Sequence, residues 1–301
     1  MDSLLLGSFR VSRVVETEGP FAPLDFIVPQ ADAARVEAAA HWLRPAYLDA
    51  ANRVVMSFQS HVIDTGRHRI LVDACVGNDK ERPLRPGWHR QRSGWLGALA
   101  DAGWRPEDID FVCCTHLHAD HVGWNTCLRD GRWVPTFPRA KYVFARREYA
   151  HWDAEHRAAL ARGRPVPNHG SFADSVLPVV DAGQAVLADD GHALEDGVWL
   201  EPAPGHTPGT VTLQARSGGA HGIFCGDILH TPVQLLDVGW NSRFCEDPAR
   251  AAATRRQLVE QAADSATLLM PAHFPGAVGG RVVAAGDAWR WEAVQSHRAP
   301  T

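Results

Sequence analysis

The stretch CCTHLHADHVGWN, residues 113–125, places three histidines and an aspartate within six positions, directly after a short apolar run. A neutral imidazole without a partner is costly to bury, and a lone carboxylate costs more. Four such side chains just past a strand leave two outcomes. Either this is a polar turn rich in histidine, or one ligand satisfies all four. The second outcome constrains the fold far more, because other loops must then converge on the same place.

Three later segments have the same character. GHTPG carries His206 after the strand expected to end near Pro202. FCGDILH carries Asp227 after Cys225, and LLMPAHFPG carries His273 after Met270. Each follows an apolar run and sits beside Gly or Pro, which set loop shape. Taken singly, a histidine at a strand end is most often a hydrogen-bonded surface or core residue. Joined to His116, His118, Asp120 and His121, the later residues make a set of donors suited to zinc and its first-row neighbours. One zinc takes about four ligands, so the set is too large for a single ion. It suits two ions roughly 3.5–4 Å apart that share one carboxylate.

The surrounding pattern predicts layered α/β structure. The Ala-rich residues 31–43 read as a helix, and GPFAPLDFIVP before them reads as a covering arm rather than core. MSFQSHVIDTGRHRILVDAC reads as two strands turning at Asp64-Thr65-Gly66. A helix is expected over residues 93–102 with Ser93 as its N-cap, then a strand over 109–114. Further strands are expected at 141–145, 197–202, 210–215, 222–225 and 267–270, and helices at 146–156 and 248–263.

With those residues in place, the chain resembles the metallo-β-lactamase-fold hydrolase superfamily, from about Val54 to His273. The resemblance implies a four-layer αββα sandwich with two metals at one edge between its sheets. It implies a single domain over residues 1–301, with residues 18–50 as an N-terminal covering arm. By that pattern His116, His118 and His206 hold the first metal, Asp120, His121 and His273 the second, and Asp227 bridges them. Asp73 of ILVDAC matches an early acidic position that supports the site rather than ligating. His230 lies three positions after Asp227, where the N-acyl-homoserine lactonases of the superfamily carry a tyrosine that holds the substrate carbonyl. An imidazole can serve there as donor or proton shuttle, or simply line the rim. The layout is closer to the lactonase-like and methyl-parathion-hydrolase-like group.

The implied activity is that of a binuclear zinc hydrolase whose metal-bridging hydroxide attacks a lactone or other carboxylic ester with an apolar part. Asp120 orients the hydroxide and passes its proton to the leaving group; Asp120 and His230 are the expected catalytic residues. A phosphotriester is the alternative substrate, and an iron-dependent oxidoreductase of the same fold is the third reading. Manganese, iron or cobalt would also suit these donors. No G-x-S-x-G elbow offers a serine nucleophile. Trp124, Phe137, Trp152, Phe172, Trp240, Phe244 and Phe274 are candidates for an apolar pocket wall, with Trp124 and Phe274 first because each lies within three residues of an expected ligand.

Composition narrows the partners. Net charge is −5 and the basic residues are scattered, which argues against nucleic acid. No stretch is apolar enough to span a membrane. The six cysteines form no CxxC pair, so free thiols in a reducing compartment are expected. The opening MDSLLLGSFRVSR does not read as a secretory leader. The expectation is a cytoplasmic enzyme for a small molecule, whose arm caps its own pocket or reaches the partner subunit of a homodimer.

Overall fold

Alternation along the central strands decides the layering. In Phe111–Cys113 and Lys141–Ala145, Val112, Tyr142 and Phe144 pack to one side with Trp95, Leu99 and Trp152. Cys113, Val143 and Ala145 point the other way, into a core shared with Leu200, Leu213, Phe224 and Met270. These strands are buried on both faces, which explains their near-continuous apolar runs. The computed structural model describes residues 2–263, 265–294 and 297–298.

Two large mixed sheets result. The first runs in the order His297–Arg298, Asp2–Leu6, Phe9–Pro23, Arg53–Asp64, Arg69–Val72, Phe111–Cys113, Lys141–Ala145, Ala185–Ala188. The second runs Ala193–Glu195, Val198–Pro202, Val211–Ser217, Ala220–Gly226, Leu268–Pro271, Gly280–Ala285, Ala288–Ala293. Inner faces meet in the shared core. Helices Trp95–Asp101 and Arg146–Ala161 cover the outside of the first sheet. Helix Pro248–Ala262 and the short helices of residues 24–43 cover the second, where Ile223, Cys225 and Leu269 meet Leu258 and Val259. The layers are helix, sheet, sheet, helix.

Strand direction positions the site. Arg69–Val72, Phe111–Cys113 and Lys141–Ala145 are parallel neighbours, and so are Ala220–Gly226 and Leu268–Pro271. Parallel strands bring their C-terminal ends to one edge. Asp73, the 115–121 loop, Asp227 and His273 all lie just beyond such ends.

Three expectations need correction. Residues 18–50 do not form a covering arm from their first residue. Glu18 to Pro23 continue strand Phe9–Pro23, paired along Arg53–Asp64 with register shifts at Val15/Thr17 and Pro20/Ala22. The partner Asp2–Leu6 reaches only Ser12; beyond it the strand is an edge, where Pro20 and Pro23 have no ladder donor to lose. Leu24, Ile27, Val28, Leu43 and Leu48 are buried in the core that these helices share with the second sheet. The Ala-rich helix is two short ones, Ala33–Ala38 and Ala40–Leu43, separated by the non-helical Ala39. Ser93 does not cap Trp95–Asp101; its hydroxyl donates to Glu16 (2.9 Å), and Gly94 takes the cap position.

A buried ion knot fixes the loop between the strand Arg69–Val72 and helix Trp95–Asp101. Arg82 and Lys80 are fully buried. Arg82 makes two bonds to Asp174, 2.6 and 2.9 Å long. Lys80 donates to Thr126 (2.6 Å), sits 3.6 Å from Asp174 and lies over the Trp133 ring. Burial pulls the Lys80 ammonium down to about 7, with Asp174 opposing the shift. Folded protein therefore sheds this proton near pH 7, while the unfolded chain keeps it to the ordinary lysine range. Between those limits the unfolded state binds more protons, so this contribution favours folding increasingly as pH rises. Denaturant unfolding of wild type and Lys80→Met should show the difference shifting toward wild type from pH 7 to pH 10, at up to about 1.4 kcal/mol per pH unit. A pH-independent difference would contradict it.

Candidate metal centre

The structure brings the seven expected ligand side chains into two adjoining groups, His116, His118, His206 and Asp227, then Asp120, His121 and His273. In the first group His116 Nε2, His118 Nδ1 and His206 Nε2 stand 2.9 to 3.1 Å apart. Four donors around a tetrahedral zinc at 2.0–2.1 Å would be separated by about 3.3 Å. Asp227 spans both groups. Its Oδ2 lies 3.2 Å from His206 Nε2 and 3.8 Å from His116 Nε2. Its Oδ1 lies 3.1 Å from His121 Nε2 and 3.0 Å from His273 Nε2. Asp120 Oδ2 is 3.7 Å from His273 Nε2 and 4.0 Å from His121 Nε2.

Several of these atoms lack protein partners although buried. His121 Nε2 and Asp227 Oδ1 make no hydrogen bond, despite facing each other. The far ring nitrogens are engaged instead. His121 Nδ1 lies 2.9 Å from Asp73 Oδ2, His273 Nδ1 is 2.9 Å from the Ser57 carbonyl, and His116 Nδ1 is 3.1 Å from Thr115 Oγ1. Such bonds fix ring orientation and turn the other nitrogen toward the centre. Orphaned inward atoms with tethered outward ones fit a metal-binding donor set.

The electrostatics agree with that fit. Burial, reinforced by neighbouring imidazoles, holds His116 and His118 well below the usual histidine range. Burial also lowers His121, His206 and His273, but the surrounding carboxylates outweigh it. All three are raised, His206 to about 9. Burial raises Asp227, yet four imidazoles hold it well below the carboxylate range. Positive charge is therefore favoured where Asp73, Asp120 and Asp227 converge, and a metal cation supplies it in place of protons.

Local geometry fastens the loops. Asp73 accepts from the Thr115 amide and hydroxyl as well as facing His121. Gly226, at φ 49°, passes so close to Thr115 that a Cβ would lie 2.5 Å from its hydroxyl oxygen. Only glycine tolerates both constraints. One tie was missed by sequence reasoning. Glu148, 1% exposed, accepts from Leu117 N (3.0 Å) and Trp152 Nε1 (2.7 Å) through Oε1, and from Thr207 Oγ1 (2.6 Å) and Gly209 N (3.0 Å) through Oε2. It joins the loop of His116 and His118 to the loop of His206. Its only sequence signal was an acid in the first turn of the helix after strand Lys141–Ala145.

Over the centre opens a cavity of about 570 Å³. Trp152 and Phe244 line it, as do His118, Asp120, Asp227, His230 and His273. Trp124 and Phe274 do not. Trp124 stacks on Trp95 and donates to Glu16 (2.7 Å), and Phe274 packs edge-on against Trp291. Phe137, Phe172 and Trp240 also lie outside the lining, packed in the two outer cores. The aromatic wall comes from Phe21, Phe58 and Trp88, with ring centroids 5.4 to 6.4 Å apart. Phe58 meets His273 at 5.2 Å. His230 is buried, with its Nε2 3.2 Å from Asp227 Oδ2 and neither ring nitrogen hydrogen-bonded.

A family model described as the metallo-beta-lactamase superfamily matches residues 59–273. The chain belongs to that superfamily. Among solved structures it is similar to hydrolase AbOPH of the beta lactamase superfamily, at 20% identity and a TM-score of 0.79 over 99% of this chain and 98% of the other. It is similar to AidC, a dizinc quorum-quenching lactonase in complex with the product N-hexanoyl-L-homoserine, at 18% identity and a TM-score of 0.77 over 98% of each chain. A probable metal-dependent hydrolase from Staphylococcus aureus matches at 16% identity and a TM-score of 0.75, over 99% of this chain and 100% of that one. At these identities the likeness is one of fold, and the superfamily sandwich is the layering described above. All six cysteines are free, and none of the described helices is long and apolar enough to cross a membrane.

Glu148→Gln tests the tie between the loops. An amide offers one acceptor oxygen, so one pair of donors loses its partner. Zinc affinity by competition with a chromogenic chelator should fall about 10- to 100-fold, and the metal-free protein should lose about 1–3 kcal/mol of stability. Unchanged zinc affinity would show that Glu148 does not position the loops.

Proposed function

We propose that the chain is a hydrolase with two zinc ions, which cleaves a lactone or other carboxylic ester carrying an apolar part. The observation that carries this reading is the split of Asp227 between two nitrogen groups, one at each carboxylate oxygen. His116, His118 and His206 would hold one ion, Asp120, His121 and His273 the other, and Asp227 both. Two metals bound there would lower the pKa of water toward neutrality and polarise a substrate oxygen.

The chain's own residues supply the rest. Asp120 borders the cavity with its side chain 16% exposed. In this reading it takes a proton from the attacking water and returns it to the leaving oxygen. His230 borders the same cavity with both nitrogens unpaired. Burial takes its pKa down to about 4, against the pull of Asp227. At neutral pH the ring therefore keeps one N–H, free to bond the carbonyl oxygen as charge builds on it. Phe21, Met56, Phe58, Trp88 and Phe244 receive the apolar part and exclude water. The lactonase assignment of AidC, whose fold this chain shares, supports an ester substrate.

Proton release by zinc-loaded protein should be measured over lactones, aryl esters and phosphotriesters, with a chelated control. Turnover of lactones or aryl esters that the chelator abolishes is expected. No turnover of any class by protein shown to hold two zinc ions would overturn the reading, and turnover of phosphotriesters alone would replace the substrate.

Asp227→Ala should lose metal and at least about 100-fold in rate. His230→Ala should keep both metals and lose about 100-fold in kcat. Full metal content and rate in the first variant would remove the bridge, and a wild-type rate in the second would remove the donor.

A further inference from the structure

Two residues of the cavity wall, Arg85 and His169, take no part in that chemistry. Arg85 is half-buried there, its guanidinium carbon 5.6 Å from the Trp88 ring centroid and 5.7 Å from that of Phe244. Among the described residues it has no hydrogen-bonding or carboxylate partner for its side chain. The other charges of its loop are matched. Arg82 meets Asp174, Arg92 meets Asp79, and Arg90 meets Glu81. The acids of the cavity are placed elsewhere: Asp120 and Asp227 in the centre, Glu246 beside His151 at 3.2 Å, and Glu155 exposed on its helix.

His169 borders the same wall, its ring edge-on to Trp88 at 6.1 Å. It and Asn168 both adopt left-handed backbone, φ 54° and 50°. Two successive non-glycine residues in that region are strained, and strain of this kind persists where the surroundings over-determine it. Here they do. Arg82 Nη1 donates to the His169 carbonyl (3.0 Å). Asn168 donates to Leu117 O (2.6 Å) and accepts from Ala119 N (3.0 Å). The buried Lys80, Arg82 and Asp174 knot thus holds Arg85, Trp88 and His169 on one rigid wall, tied to the loop of His116 and His118.

A cation over two aromatic faces loses water when a ligand fills the cavity, and that loss is costly unless the ligand brings negative charge. The planar guanidinium fork fits a carboxylate. We propose that Arg85, with His169 beside it, forms a subsite for a carboxylate that the substrate carries away from its scissile ester. The substrate class is then an acidic half-ester or a lactone bearing a free carboxylate, with an apolar span between the two groups. The proposal rests on the ester-hydrolase reading above.

The test uses zinc-loaded full-length protein and the 4-nitrophenyl monoesters of succinic, glutaric and adipic acid. Each is compared with the neutral ester that has methyl in place of the free carboxylate, with chelated controls subtracted. Wild type should prefer the acidic ester of at least one length by tenfold or more in kcat/KM, chiefly through KM. Arg85→Ala should bring that ratio to about one, and Arg85→Lys should keep part of it. No preference at any length, or a preference that survives in Arg85→Ala, overturns the subsite. If none of these esters is turned over, the hydrolase reading is decided by the panel of lactones, aryl esters and phosphotriesters above. The subsite is then judged by calorimetric binding of the three dicarboxylates against the matching monocarboxylates. A dicarboxylate advantage lost in Arg85→Ala supports it, and no such difference overturns it.

Discussion

One buried carboxylate, Asp227, faces imidazoles on both oxygens, and the molecule is arranged around the cost of that. Five histidines and two aspartates drawn together largely away from water are costly to desolvate unless each is given partners in a fixed direction. Direction comes from the tethers on the far nitrogens: Asp73 behind His121, the Ser57 carbonyl behind His273, Thr115 behind His116. With the outer atoms satisfied, the inner ones converge on two points separated by one carboxylate.

The tethers need rigid supports, and the fold supplies these as buried carboxylates at loop junctions. Glu148 joins the His116–His118 loop to the His206 loop. Glu16 gathers the amides of Val76 and Gly77 with Ser93 and Trp124; burial raises its pKa, while those donors pull against the shift. Asp174 gathers Lys80 and Arg82. Each is an acceptor surrounded by donors from several elements, so removing one loosens more than one loop. The same devices shape the cavity: the Asp174 knot fixes the wall of Arg85, Trp88 and His169, while the strand that begins at Phe9 brings Phe21 to stack on Trp88.

Much of this was legible in the residue order, for a specific reason. Metal ligation needs imidazole and carboxylate in close spacing, and HLHADH holds four such groups within one loop, where accident is improbable. Strand Lys141–Ala145 and helix Pro248–Ala262 were legible from local apolar patterning. The strand Phe9–Pro23 was not, because its two prolines and its charged residues are tolerated only by its edge position and register shifts. The pocket aromatics were legible only in part: Trp152 and Phe244 were among the candidates, while Phe21, Phe58 and Trp88 were not. Closeness in sequence to an expected ligand pointed to Trp124 and Phe274, but side-chain direction is decided by packing. Trp124 turned to Trp95 and Glu16, and Phe274 to Trp291.

The chain order by itself determined the cluster of imidazoles and carboxylates, its placement at strand ends and the superfamily to which the chain belongs, since each depends on residue type and short spacing. Only the tertiary structure decided which nitrogen of each histidine faces inward, that Asp227 divides its oxygens between the two groups, and that Glu148 and Asp174 hold the walls. It also decided that Phe21, Phe58, Trp88 and Arg85 face the cavity. These are contacts between residues tens to hundreds of positions apart, and nothing local in the sequence encodes a direction in space that only the packed layers create.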